Sequence, residues 1–195
     1  MQLFARTEVG CVRNRNEDSF AVANLKSGER GLGPGTRAQL ICAHGTAVVV
    51  CDGMGGAAAG HIASALAADA LIDSLHASVP FSDARAAQVA LLQAIGKAHR
   101  SVGIFSLEHE GCKGMGSTLT AALILPGEAH IGHVGDSRAY LLRGTSLRQL
   151  THDDSLAEHL RSQGQLSQED LQGNRFRRNE WQMPKLPKTN VCCLF

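Results

Sequence analysis

Residues 48–56, Val-Val-Val-Cys-Asp-Gly-Met-Gly-Gly, place one carboxylate between an apolar run and several glycines. The β-branched run predicts a buried strand. The glycines after it permit backbone angles and close approaches that residues with a Cβ resist. Asp-Gly is also a common turn pair, so by itself the pair is more typical of an ordinary turn. The buried strand before it makes Asp52 a candidate metal ligand.

Two other acidic segments border predicted strands. Asn16-Glu17-Asp18 precedes the apolar residues 19–22, and Gly135-Asp136-Ser137 lies between two strand-like runs. Carboxylate oxygens are the ligands that hard divalent cations such as Mg²⁺ and Mn²⁺ prefer, whereas zinc would call for Cys and His at short spacing. The six cysteines form no C-x-x-C pair. The three acidic segments therefore predict an oxygen-rich site for a hard cation.

The elements that must position these carboxylates are predicted as strands, then two helices, then strands again. Residues 38–42 and 46–51 are predicted to form a hairpin closed by residues 43–45. An apolar, Ala-rich segment from about 60 to 76 predicts a buried helix, and Ser82 is a candidate N-cap of a second one. This order favours an α+β domain. The predicted strands are 2–7, 19–25, 38–42, 46–51, 117–125, 129–134, 138–143 and 146–150, the last four as an antiparallel meander, with shorter helical segments at 155–164 and 167–172.

Length and composition favour one folded domain. The chain has 195 residues, of which 44% are hydrophobic, and its formal net charge is +1. Such a balance gives no electrostatic basis for binding nucleic acid or a membrane surface. No apolar run approaches the length of a membrane span, and dispersed cysteines are typical of reduced thiols. We therefore expect a cytoplasmic protein.

Five short motifs follow one another along the chain. They are Arg13 with Asn16-Glu17-Asp18, Asp52-Gly53-Met54-Gly55-Gly56, Gly114-Met115-Gly116-Ser117-Thr118-Leu119, Gly135-Asp136-Ser137-Arg138, and Leu150-Thr151-His152-Asp153-Asp154-Ser155-Leu156. In this order they resemble the metal-dependent Ser/Thr protein phosphatases of the PP2C (PPM) type, in their bacterial form. Any one of these motifs would be weak evidence, but five in order are strong.

The resemblance implies both a fold and a metal site. The fold would be a sandwich of two antiparallel β-sheets flanked by helices, and the reaction would be hydrolysis of phosphoserine or phosphothreonine with Mn²⁺ or Mg²⁺. Asp52 would bridge two cations, and the backbone carbonyl of Gly53 would help to bind one of them. Glu17 would act through water, and Asp18 would order the water molecules nearby.

The resemblance also assigns roles to Arg13 and Asp136. Arg13 matches the position that holds the substrate phosphate, a role suited to the planar guanidinium with its fork of donors. The alternative for Arg13 is a solvated surface charge. Asp136 would hold a further, weaker metal, or would merely cap the turn before Arg138.

The resemblance covers roughly residues 1–178 and stops before the family's last two acidic motifs. We therefore expect a C-terminally truncated phosphatase-like domain at residues 1–179 and an unrelated-looking tail at 180–195. The expected partners are phosphorylated proteins, with a Ser/Thr kinase acting in opposition. The alternative is an inactive remnant or pseudophosphatase that binds phosphoproteins without turnover.

Overall fold

The structure, a computed structural model, describes residues 1–11, 14–31, 37–39, 44–55, 59–154 and 190–194. In this part of the chain, four strands precede two α-helices and six strands follow them, an order that suits an α+β domain. Within these ranges, neither helix combines the length and apolar character that crossing a membrane needs. The elements are β1 (Gln2–Phe4), β2 (Asp18–Asn24), β3 (Arg37–Gln39), β4 (Thr46–Met54), α1 (Ala59–His76), α2 (Ala84–Glu108), a short 3-10 turn (Glu110–Cys112), β5 (Gly116–Ser117), β6 (Leu119–Leu125), β7 (Glu128–Val134), β8 (Tyr140–Arg143), β9 (Ser146–Gln149) and β10 (Asn190–Leu194).

A six-stranded antiparallel sheet is the centre of the described structure. Its order is β10-β7-β6-β4-β2, and β5 pairs with the end of β4. β4 is therefore paired on both of its edges. The register places Asp18 opposite Asp52, Phe20 opposite Val50, and Val22 opposite Val48. Because opposite residues in an antiparallel pair share a face, these side chains lie on one side of the sheet.

Helices α1 and α2 pack on the other side of this sheet. The residues of β4 that face them, including Val49 and Cys51, are fully buried. On β7, a Cβ at Gly132 would lie 2.6 Å from Ile95 Cδ1, so the missing side chain lets α2 approach the sheet closely. Burial raises the pKa of the Cys51 thiol to about 12. Cys51 is thus an inert core residue beside the exposed Asp52.

The structure corrects the predicted cap of α2. The helix begins at Ala84, and its N-cap is Asp83, whose carboxylate accepts a hydrogen bond of 2.7 Å from the N–H of Ala86. Ser82, the predicted cap, lies one residue earlier. Both residue types are good N-caps, and sequence alone does not distinguish neighbouring candidates.

Strand pairing also differs from the prediction in two places. The predicted hairpin of residues 38–42 with 46–51 is wrong, because β3 pairs with β1 while β4 pairs with β2 and β6. β4 continues through Asp52 and Gly53 to Met54, so the Asp-Gly pair lies inside a strand and is not a turn. The meander is only partly confirmed, because β6 pairs with β7 but β8 and β9 form a separate two-stranded sheet.

Two predicted helical segments and one predicted domain boundary cannot be compared with the described residues. The helical segments 155–164 and 167–172 lie outside the described residues. β10, which pairs with β7 along the sheet edge, belongs to the segment predicted as a tail. The boundary at residue 179 stays a prediction.

Candidate metal centre

Two carboxylates lie opposite each other on neighbouring strands, on the same face of the central sheet. Asp18 opens β2 and Asp52 lies near the end of β4, and the two residues are directly paired. Both are exposed, although Cys51 beside Asp52 is fully buried. Opposite residues in an antiparallel pair have Cβ atoms about 4.5–5.5 Å apart. Like charges at this separation repel, and a cation between or beside them would relieve the repulsion.

Glu17 is held beside this pair through its backbone carbonyl. The carbonyl oxygen accepts hydrogen bonds from the N–H of Gly53 at 3.1 Å and from the hydroxyl of Ser64 at 2.6 Å. Ser64 is fully buried in α1 and also lies 2.9 Å from the hydroxyl of Ser19. A helix side chain thus fixes the residue that precedes β2.

The Glu17 carboxylate and the Gly53 carbonyl converge near the start of α1. A Cβ built on Gly60 would lie 2.8 Å from Oε1 of Glu17 and 2.9 Å from the carbonyl oxygen of Gly53. The N-terminal end of a helix carries partial positive charge, which favours a carboxylate there. Two oxygen donors therefore lie on the same side of Gly60, next to Asp52.

Gly53 has no room for a side chain. A Cβ at this position would lie 1.9 Å from the carbonyl oxygen of Gly60 and 2.8 Å from that of Glu17. Both obstacles are backbone atoms, which cannot move aside as a flexible side chain can. The strand and the start of α1 can therefore approach this closely only because residue 53 is glycine.

Thr118 connects Asp52 to the loop that carries Asp136. Its N–H donates to the carbonyl of Asp52 at 2.9 Å, and its hydroxyl accepts from the N–H of Asp52 at 2.9 Å. The same hydroxyl lies 2.7 Å from that of Ser137. Gly135 has φ +106°, and a Cβ there would lie 2.7 Å from Thr118 Cγ2. Asp136 is exposed at the tip of this loop.

The segment after β9 closes against the same loop. Arg138 donates two hydrogen bonds to Asp153, at 2.8 and 2.6 Å, and the N–H of Asp154 donates to the carbonyl of Gly135 at 2.6 Å. The hydrogen bonds from Arg138 hold the pKa of Asp153 below its usual range. This pairing anchors residues 150–154, which precede the part of the chain that the structure does not describe.

Most of the predicted site residues are brought together. Asp18, Asp52, Glu17 and Gly53 adjoin one another, and Asp136 is joined to Asp52 through Thr118. Arg13 lies outside the described residues. Within the described ranges, no three side chains of His, Cys, Asp or Glu converge as a metal-binding group. The donors present are all oxygen atoms, a set that fits Mn²⁺ or Mg²⁺.

Ser64 and Thr118 are the contributors that sequence reasoning missed. A serine facing the buried side of an Ala-rich helix is a signal for Ser64, because a buried hydroxyl needs a hydrogen-bond partner. Thr118 belongs to the third of the five motifs, but that motif by itself gives Thr118 no role. Neither residue has a charged group that would mark it as part of a site.

Replacing Ser64 with Ala is expected to destabilise the fold by about 1–2 kcal/mol, because the Glu17 carbonyl and the Ser19 hydroxyl both lose a buried partner. Urea unfolding would measure this loss. Ser74→Ala is the matched control, since Ser74 is a second buried serine on α1 and lies ten residues along the helix from Ser64. Equal effects from both changes would show that Ser64 does not hold Glu17.

Arg138→Gln is expected to reduce the loss of stability on acidification. Because Arg138 lowers the pKa of Asp153 below its ordinary 3.8, the pair stabilises the fold above that pH and ceases to do so as pH falls through the lowered value. The effect is modest, since the Arg138 side chain is 47% exposed. Unfolding in urea between pH 2.5 and 6 would measure it. Arg143→Gln, which removes an exposed charge from β8, should keep the wild-type acid dependence, and the same dependence in both variants would contradict the assignment.

The chain is similar to known phosphatases in sequence. Residues 39–193 match the family model described as Protein phosphatase 2C. The serine/threonine phosphatase stp of Listeria welshimeri is 33% identical over 165 residues, which cover 85% of this chain. The match covers 59% of the Listeria protein, so this chain spans less than two thirds of that relative's length.

Solved structures show the same fold. Serine/threonine phosphatase Stp1 from Staphylococcus aureus superimposes with a TM-score of 0.76 at 26% identity, over 98% of this chain and 70% of that chain. The catalytic domain of serine/threonine protein phosphatase PstP, crystallised with two manganese ions, superimposes with a TM-score of 0.65 at 27% identity, over 98% of this chain and 72% of that chain. These neighbours confirm the predicted α+β fold class.

Proposed function

Because the chain belongs to the protein phosphatase 2C family, we propose that it is a metal-dependent protein phosphatase that hydrolyses phosphoserine or phosphothreonine. The observation that carries this proposal is the pairing of Asp18 with Asp52 beside the Glu17 carboxylate and the Gly53 carbonyl. Fold alone would not support a reaction, but this group of oxygen atoms supports a metal site at the strand ends.

The residues that would hold the metal are Asp52, Gly53, Glu17 and Asp136. The oxygen donor set suits Mn²⁺ or Mg²⁺, and the PstP catalytic domain, a structural neighbour, binds two manganese ions. When bound, such cations neutralise charge on phosphoryl oxygens and make water acidic enough to act as a nucleophile near neutral pH. The buried, doubly paired β4 keeps Asp52 in place while its carboxylate stays accessible.

Two further residues would act on substrate and water. Arg13 would hold the substrate phosphate with its guanidinium. Asp18, which is exposed and directly opposite Asp52, would orient water molecules beside the reacting phosphate. The substrates would be phosphorylated proteins in the cytoplasm, opposed by a Ser/Thr kinase.

The decisive experiment is hydrolysis of an aryl phosphate by the purified chain over a Mn²⁺ titration, with Asp52→Ala as the comparison. We expect turnover that rises with Mn²⁺ and is abolished by Asp52→Ala. Folded protein that binds Mn²⁺ and phosphopeptide without turnover would instead favour the pseudophosphatase alternative. Turnover that survives Asp52→Ala would refute the assigned site.

A further inference from the structure

A partly buried polar cluster lies beside Asp136 and takes no part in the proposed reaction. It consists of Thr120 on β6, His133 on β7 and the backbone of the Gly135-Asp136-Ser137 loop. His133 is only 1% exposed, although the other residues paired along this part of the sheet are mostly apolar. Burying a histidine costs free energy unless its ring nitrogens are hydrogen-bonded. The hydrogen-bond partners of the two ring nitrogens therefore indicate what His133 does in the fold.

Both ring nitrogens of His133 are connected to the loop, one directly and one through Thr120. Nε2 lies 2.9 Å from the carbonyl oxygen of Gly135, and because a carbonyl only accepts, Nε2 is the donor. Nδ1 lies 2.9 Å from the hydroxyl of Thr120. That hydroxyl also lies 3.0 Å from the carbonyl oxygen of Ser137, so its single proton is available either to this carbonyl or to the ring nitrogen. Thr120 and His133 are directly paired across β6 and β7, so the sheet register itself sets this arrangement.

The two carbonyl groups that receive these contacts flank Asp136. One belongs to the residue before it and the other to the residue after it, so the loop is held on both sides of the carboxylate. Thr118, two residues before Thr120, adds the contact between its hydroxyl and that of Ser137 at 2.7 Å. Thr118 lies between β5 and β6 and Thr120 lies on β6, so one short stretch of chain contacts the loop twice. Asp136 itself is exposed and thus takes its position from this support.

We propose that Thr120 and His133 are positioning residues that fix the Asp136 loop and thereby set the affinity for the cation that Asp136 holds. This inference rests on the proposed function, because it takes Asp136 as a metal ligand. Groups that orient a metal ligand typically contribute 10–100-fold to metal affinity. The contribution of Thr120 is testable with little change of shape, because valine has nearly the same volume without the hydroxyl.

The test is Mn²⁺ binding to the purified chain by titration calorimetry, which does not depend on turnover. We expect Thr120→Val to weaken one class of Mn²⁺ site by about tenfold, and Thr120→Ser to retain wild-type affinity. Thr46→Val is the matched control, since Thr46 is a buried threonine at the far end of β4. It should change stability without changing Mn²⁺ affinity. His133→Gln should weaken the same site as Thr120→Val.

A double-mutant cycle with Asp136→Ala shows whether the effect passes through Asp136. Thr120→Val should weaken Mn²⁺ binding in the wild-type chain and add nothing once Asp136 is alanine. Additive effects, or an unchanged affinity in folded Thr120→Val, would overturn the inference, as would a chain that binds no Mn²⁺. Mn²⁺ binding that follows this pattern without aryl phosphate hydrolysis would refute the proposed function while supporting the inference. Hydrolysis by a chain whose Mn²⁺ affinity is unchanged by Thr120→Val would support the proposed function and refute the inference.

Discussion

Asp52→Asn is expected to lower Mn²⁺-dependent hydrolysis by at least about 100-fold, because loss of a direct ligand should exceed the 10–100-fold typical of outer-shell groups. The substitution keeps the size of the side chain and removes its charge, so the change should act on metal binding more than on packing. Asp52 is exposed, and its neighbours Cys51 and Gly53 supply the burial that holds β4 in the sheet.

Thermal unfolding provides a second measurement for the same variant. A ligand that binds only the folded state stabilises it, by about 2.7 kcal/mol at a concentration 100 times its Kd. Saturating Mn²⁺ should therefore raise the Tm of the wild-type chain and raise that of Asp52→Asn much less. Glu108→Gln, which removes an exposed carboxylate at the end of α2, should respond to Mn²⁺ as the wild type does. An undiminished response in Asp52→Asn would contradict the assignment of Asp52.

Gly53→Ala is expected to destabilise the fold by about 3 kcal/mol or more, at or beyond the upper end of the usual penalty for overpacking. The added methyl group would lie 1.9 Å from the Gly60 carbonyl oxygen, so either the start of α1 or the end of β4 must move. Such a shift would also displace Glu17, whose carbonyl accepts the N–H of Gly53. Stability and Mn²⁺ binding should therefore be lost together.

Urea unfolding and Mn²⁺ titration of the same preparation would measure both losses. Gly103→Ala is the matched control, because a Cβ at Gly103 meets nothing within 4 Å and the residue lies inside α2. Alanine there should stabilise the chain by about 0.5–1 kcal/mol, the usual difference between Gly and Ala in a helix. A Gly53→Ala protein with the wild-type unfolding midpoint would show that the close contact with α1 is not required.

Features that depend on near neighbours in the chain were predictable. β2, β4 and α1 lie close to their predicted ranges, and α2 begins two residues after its predicted cap, because each has a local pattern of apolar residues. The hairpin prediction failed because pairing depends on which strands compete for an edge. β4 pairs with β2 on one edge and with β6 on the other. Pairing on both edges stabilises β4 more than a hairpin with residues 38–42 would, although those residues are nearer in the sequence. The prediction of Ser82 as the cap was wrong because its neighbour Asp83 is an equally good N-cap residue.

The order and types of the residues were enough to indicate the family of the chain and to predict an oxygen-rich site. Five motifs in order, with carboxylates at strand ends and no zinc-type cysteine pair, are readable from residue types alone. The tertiary structure decided how those residues meet. The register set Asp18 against Asp52, the start of α1 excluded any side chain at Gly53, and Thr118 joined Asp52 to the Asp136 loop. These contacts join residues far apart in the chain, and a local pattern carries no information about which distant backbone will come close.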